Sequence, residues 1–484
     1  MSAPGRWRRL LSRVVDRAVA ERIATADAVV EAPAPVQPID LTDDAKVTQV
    51  LDLAERVGEV VLSAGTAVTD TTDQVDFIAS TYGLKCDIDV TYNSIRISAE
   101  RGPALPPAST MRVVHYRSLD FTRLAAVDRL TRRIRRELPP PDEALAALED
   151  ITTAPHPYNR WVATFGWALM AAAIALLLNG GLLIALISFA ATTAIDRVNR
   201  RLNHRGLPFF FQHMMGGMIA ALPAVLVSTF LRDLELDPAL IIAAGISVLL
   251  AGLQLVGAVE DAITGAPITA AARMLEVVMM TGGIIAGIVL TLRVSELLNL
   301  TVPTVSMSSA RDLTNLPLKL LAGAITSAAF ALACYAERRA LAAAAFSGAA
   351  AIVVFLLVQH AGFGPIVSSG VAAVVVGLAG GLLARRSLTP PLVVAVAGIT
   401  PLLPGLRVYR GLYALLNDEQ LFGINQLFSA IAVGCALAAG VTLGEWIARD
   451  LRRPRILLRF GAIRRPRLRG LVSTGGHAAR SVRP

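Results

Sequence analysis

The chain has 484 residues, 54% of them hydrophobic and only 17% charged, with 46 Lys and Arg against 37 Asp and Glu for a formal net charge of +9. Soluble globular chains carry roughly 25% charged residues, so this composition, with a mean hydropathy of +0.57, excludes a wholly soluble protein. The three cysteines, Cys86, Cys334 and Cys435, are too scattered for a metal-ligand or disulfide framework.

No secretory leader is expected, because the basic N-terminus is not followed by an apolar run and a small-residue cleavage site. Residues 6–23 place Trp7, Leu10, Leu11, Val14, Val15 and Ala18 at helical spacing, surrounded by Arg6, Arg8, Arg9, Arg13 and Arg17. That pattern predicts a helix lying on anionic lipid rather than a nucleic-acid arm. With the Ala/Pro stretch that follows, it makes up residues 1–42.

Residues 43–158 predict a small α+β domain. A helix over Asp43–Ser63 puts Val47, Val50, Ala54, Val57 and Val61 on one face and is closed by Gly65. A second helix runs over Asp70–Tyr82; its Asp70, Asp73 and Asp76 read as a solvated face. The period then changes to two, with Cys86, Ile88, Val90 and Tyr92 alternating with polar residues, then Ile95 and Ile97, then a strand over Thr110–Arg117. Phe121–Leu138 returns to helix, with Val127, Leu130, Ile134 and Leu138 inward and Arg129, Arg132, Arg133 and Arg136 outward. Pro139–Pro141 ends it, and Asp142–Asp150 forms a last short helix.

Ten apolar segments follow, over 161–178, 182–195, 209–231, 239–259, 274–292, 316–336, 340–358, 366–384, 388–406 and 424–447. Each approaches the roughly 20 residues that span a bilayer. The second is short and is expected to continue past Asp196, paired with Arg197 or Arg200. Arginines cluster in alternate loops (197–205, 273, 338–339, 385–386) and in the tail 449–484, which holds eleven of them. By the positive-inside rule both termini are cytoplasmic, which an even number of spans satisfies.

Residues 245–253 (GISVLLAGL) and 398–406 (GITPLLPGL) agree at six of nine positions, with Ser/Thr a seventh, at an offset of 153. The same offset carries the first span onto the sixth, the third onto the eighth and the fifth onto the tenth. This predicts two five-span units, residues 159–312 and 313–448. Because five is odd, the second unit enters from the opposite side, giving inverted repeats of the kind found in secondary transporters. Such folds bind solutes near the midplane between broken helices. The candidate breaks are Gly252–Gly265 in the first unit and Pro401, Pro404 and Gly405 in the second.

Ionisable groups at membrane depth need a reason. Glu260 and Asp261 follow the fourth span, and Arg273 and Glu276 open the fifth, bracketing a Gly265/Pro267 loop. Arg407 and Arg410 sit at the counterpart break. Gln254 and Gln212 lie deeper; His213 and His360 read as interfacial. The charged residues read either as an ordinary interfacial loop with snorkelling charges or as a gate or substrate site in which a carboxylate, Asp261 first, carries a coupling proton. No phosphate-binding loop, zinc motif or paired intramembrane aspartates occur, and Ser347 with His360 is a weak protease pattern. No cofactor or metal is implied.

The chain resembles the bacterial threonine/serine exporters over roughly residues 45–447. The resemblance rests on Leu62-Ser63-Ala64-Gly65-Thr66-Ala67, Tyr82-Gly83-Leu84, the run Leu124–Leu130 and the run Ala144–Asp150. In the membrane part it rests on Gly252, Asp261, Gly265 and Arg273, then on Pro401-Leu402-Leu403-Pro404-Gly405. Ala251 and Ala270 stand where the family's pattern has proline and glycine. The resemblance implies a non-enzymatic secondary exporter of threonine and serine driven by protons, with a homo-oligomer left open. The rival readings are a carrier of another small acid, and a membrane-anchored enzyme with a hydrolase-like domain at 43–152.

Overall fold

A computed structural model describes residues 37–103, 105–115, 119–231, 236–249, 252–301, 315–387, 390–416 and 419–452. The basic N-terminal helix expected at 6–23 and most of the Arg-rich tail lie outside these residues.

The N-terminal domain runs α1 (Asp44–Ser63), α2 (Val68–Thr81), β1 (Lys85–Val90), β2 (Ser94–Glu100), β3 (Ala108–Val113), α3 (Phe121–Glu137) and α4 (Pro141–Thr153). Asp43 caps α1 by accepting from the amides of Ala45 and Lys46, the usual device for the first unpaired N–H groups of a helix. The strands form one antiparallel sheet in the order β1-β2-β3, with Ile88 opposite Ile97 and Val90 opposite Ile95. The expected core positions Val47, Val50, Ala54, Val57, Val61, Val127, Leu130 and Ile134 are buried, whereas Leu138, the left-handed C-cap of α3, is only half-buried. Arg132 departs from expectation: it is buried and paired with Asp128, one turn earlier on α3.

A helical bundle follows. Its first half is α5 (Arg160–Leu177), α6 (Leu182–His204), α7 (Phe209–Phe230), α8 (Ala239–Leu249), α9 (Gly252–Thr264) and α10 (Pro267–Leu297). Its second half is α11 (Leu316–Ala333), α12 (Arg338–His360), α13 (Pro365–Ser387), α14 (Pro391–Ile399), a 3₁₀ turn (Thr400–Leu402), α15 (Gly405–Leu416) and α16 (Gln420–Arg452). Helix for helix the lengths match: 18 against 18 residues, 23 against 23, 22 against 23, a broken pair against a broken pair, and 31 against 33. Among the described residues eight helices are long and apolar enough to cross a membrane, and the broken pairs, bent by 47° and 43°, bring the number to ten if each is one span. The chain is a polytopic membrane protein.

Two single-span expectations change. The segment 239–259 is α8 plus the start of α9, and 388–406 is α14, the 3₁₀ turn and the start of α15. The stretch Gly252–Gly265 is not an open break but the thirteen-residue helix α9, ended by Gly265 at φ +98°. The second span does continue past Asp196, which holds Arg200 at 2.8 Å and Thr164 Oγ1 at 2.6 Å.

Contacts fix which helix ends lie together. At one end the N-terminal domain meets the α11–α12 turn, where the Phe121 amide donates to Cys334 O at 3.0 Å and Arg129 pairs with Glu337 at 2.7 Å. The α9–α10 turn and Arg449 near the end of α16 join the same end, Arg449 lying 3.5 Å from Asp70. At the other end the Thr301 amide donates to Thr229 Oγ1 at 3.1 Å, joining the end of α7 to the residues after α10. The broken pair α8–α9 therefore traverses the bundle. Glycines let α7 approach α10, and α13 approach α16, closely: a Cβ at Gly217 or Gly287, or at Gly377 or Gly444, would overlap the facing backbone. Small residues at such crossings are how apolar helices pack in a lipid solvent.

Candidate functional site

The twelve residues singled out in the sequence do not form one site. They separate into a central cavity, a buried ion pair, a cleft beside the N-terminal domain and a pair of arginines on α15.

The cavity lies between the two broken pairs and measures about 190 Å³. That is below the roughly 300–1,000 Å³ of drug-sized sites, so it suits only a small solute. Ser247 and Leu249 of α8, Gln254 of α9 and Thr400 of the 3₁₀ turn line it, with Trp167, Met280 and Phe330 as apolar wall. Ser247 and Thr400 stand at the repeat offset of 153. The Ser247 hydroxyl donates to Ala243 O at 2.8 Å and the Thr400 hydroxyl to Val396 O at 3.0 Å. With each hydrogen spent on its own helix, what remains on both oxygens is lone-pair acceptor capacity. Gly405 sits against Ser247: a Cβ there would overlap Ser247 Oγ and lie 3.0 Å from Ala243 O. Gly252 opens α9 and Gly405 opens α15, while Pro401 lies in the 3₁₀ turn and Pro404 precedes α15.

Asp261 and Arg273 form the buried pair, 0% and 1% exposed at the side chain, with Arg273 Nε 3.1 Å from Asp261 Oδ2. The loop between α1 and α2 closes it. The Val68 amide donates to Asp261 Oδ1 at 2.9 Å, and Arg273 Nη2 donates to Thr66 O at 3.0 Å. A Cβ at Gly257 would overlap Arg273 Nη1, so that glycine makes room for the guanidinium. Gly265 supplies the left-handed turn between the two helices. The pair is thus a docking point for the N-terminal domain, a role not foreseen from the sequence.

Glu260 neighbours Asp261 but faces elsewhere, into a cleft of about 50 Å³ with Asp70, Asp128, Glu445 and Arg449. Glu276 is half-buried on α10, within electrostatic reach of His213, which itself lines the central cavity. Arg407 and Arg410 lie on α15 away from Asp261; Arg407 reaches Ser429 at 3.5 Å, and Arg410 senses Asp237 at the start of α8. Gln212 donates to Leu207 O at 2.7 Å and so serves the α6–α7 turn. Ser347 and His360 lie thirteen residues apart on α12, about 20 Å along the axis, so they make no catalytic pair. Sequence reasoning missed Ser247 and Thr400 as lining residues, although the repeat contained them.

Two family models match the chain: one described as "Putative threonine/serine exporter" over residues 52–295, and one described as "Threonine/Serine exporter, ThrE" over residues 319–447. Their boundary falls between α10 and α11. A "Threonine/serine exporter" of Corynebacterium glutamicum is 44% identical over 442 residues, 90% of this chain and 90% of that protein. A "Probable threonine/serine exporter" of Mycobacterium tuberculosis (strain ATCC 25618 / H37Rv) is 38% identical over 417 residues, 85% of this chain and 78% of that one. No solved structure matches.

Proposed function

Because the chain belongs to the threonine/serine exporter family, we propose that it exports threonine and serine across a bacterial plasma membrane in exchange for protons. The single observation that carries the site is the cavity between the broken pairs, lined by Ser247 and Thr400. Helices α9 and α15 begin beside it, so the positive ends of their dipoles face a substrate carboxylate there. The negative dipole ends of α8 and α14 favour the ammonium group. The acceptor lone pairs of Ser247 and Thr400 receive the ammonium or the substrate hydroxyl, and Trp167 and Phe330 pack against the threonine methyl.

The two halves act as inverted five-crossing repeats, the reading supported by the matched helix lengths and the shared offset. The arginine-rich loops favour a cytoplasmic N-terminal domain and cytoplasmic termini, with the basic ends on anionic lipid. The domain regulates access from the cytoplasm: Leu119, just before α3, lines the cavity, and the 65–68 loop grips the Asp261–Arg273 pair. Accumulation of labelled threonine by everted vesicles, with and without a proton gradient, tests this reading.

A further inference from the structure

We infer that Glu260, not Asp261, is the group that carries the exchanged proton, at the cleft between the cytoplasmic domain and the bundle. This inference rests on the proton-exchange reading above.

The two adjacent carboxylates differ in what occupies them. Both oxygens of Asp261 are engaged, Oδ1 by the Val68 amide and Oδ2 by Arg273. Protonating Asp261 would leave Arg273, 1% exposed, as a buried charge without its partner, a state costly enough to be avoided. Glu260 is 8% exposed, and among the described residues its carboxylate has no hydrogen-bond or ion-pair partner within bonding distance. The charged groups facing it are Asp70 of α2, Asp261 and Arg273 of α9 and α10, and Arg449 of α16. Asp128 of α3 and Glu445 of α16 line the same cleft. Both cations make their direct ion pairs with other carboxylates, Arg273 with Asp261 at 3.1 Å and Arg449 with Asp70 at 3.5 Å. A buried carboxylate among other acids, without a cation of its own, is relieved of repulsion when it takes a proton.

The cleft lets that proton come and go. Its volume of about 50 Å³ holds a few waters at the roughly 10–15 Å³ each needs by this measure. Glu260 also shares a rigid helix with the cavity: Gln254, six residues earlier on α9, lies about 9 Å along the axis. A tilt of α9 that opens the cavity therefore moves Glu260 relative to Asp70 and the cleft. One proton binds one carboxylate oxygen and later leaves from it to the cytoplasm; no other bond changes.

The test uses the full chain in proteoliposomes, with labelled threonine, reading both gradient-driven accumulation and exchange without a gradient. Glu260→Gln is expected to lose accumulation about tenfold or more, in the usual range of coupling strengths, while exchange persists and loses its pH dependence. Glu260→Asp is expected to retain coupling. Wild-type coupling with undiminished accumulation by Glu260→Gln overturns the assignment of Glu260 alone. A wild-type protein that exchanges threonine but ignores the proton gradient overturns the proton-exchange reading and this inference with it. If Glu260→Gln and Glu260→Asp are both monodisperse yet dead in exchange, Glu260 is structural and the inference fails.

Discussion

The Val68 amide donates to Asp261 across 193 residues of chain, at 2.9 Å and in a buried setting. With Arg273 reaching Thr66 O, this contact makes the buried ion pair one anchor of the N-terminal domain, beside the α11–α12 turn. Removing one partner of a buried pair costs about 3–5 kcal/mol. Asp261→Ala and Arg273→Ala are therefore each expected to lower the thermal midpoint of the purified protein and to expose the 153–160 connection to protease. The double variant is expected to lose less than the sum of the two. Additive losses would show that the pair and the docking are independent.

Ser247 and Thr400 are expected to set affinity rather than assembly. A hydrogen bond contributes roughly 0.5–1.5 kcal/mol, and 1.36 kcal/mol is tenfold. Ser247→Ala and Thr400→Val are each expected to raise the threonine concentration for half-maximal flux by up to about tenfold, and Thr400→Ser much less. Gly405→Ala, which pushes a methyl into Ser247, is expected to be worse than either. Gly181→Ala, at a position with open space, serves as the silent control. Equal kinetics in Ser247→Ala, Thr400→Val and wild type would remove the cavity from the substrate path.

Glu55 gives the N-terminal domain a pH signature. Burial raises its carboxyl above the ordinary 4.5, against the opposing Thr110 hydrogen bond and Arg112 charge. A carboxyl raised in the folded state binds its proton more tightly there. Its contribution to stability is therefore complete below 4.5 and is lost as pH rises through the raised value. Glu55→Gln is expected to slow hydrogen exchange in α1 at pH 7 and to make no difference at pH 4. Arg112 keeps its pairs with Asp52 and Glu59 at 2.7 and 2.9 Å, so the variant strands no charge. Faster exchange at pH 7 would contradict the assignment.

Much of this architecture was legible in the sequence because it is written in local periods. The face of α1, the strand alternation at Cys86–Val90 and the apolar runs of the bundle all follow from residue spacing. The proposed repeat rests on GISVLLAGL and GITPLLPGL sitting at one offset. What was not legible depends on contacts between distant segments. An apolar run such as 239–259 reads as one span whether or not it bends after Leu249. Arg132 reads as outward on a helical wheel until Asp128 takes it inside. The sequence puts Asp261 ahead of Glu260, but it does not show that Arg273 and the Val68 amide occupy Asp261 while Glu260 faces a cleft.

Topology is open to a direct check. Reporter fusions after Arg205, Arg339 and Arg386 are expected to read cytoplasm, and fusions within 300–310 the exterior. A cytoplasmic signal at 300–310 would give each half an even number of crossings and end the inverted-repeat reading.

The central claim is export of threonine and serine driven by protons. Everted vesicles containing the protein, given labelled threonine and an interior made acidic, are expected to accumulate the label well above vesicles lacking the protein. Collapse of the gradient with a protonophore should release it, and unlabelled serine should compete. Accumulation that is the same with and without the gradient, or that serine leaves untouched, would contradict the account.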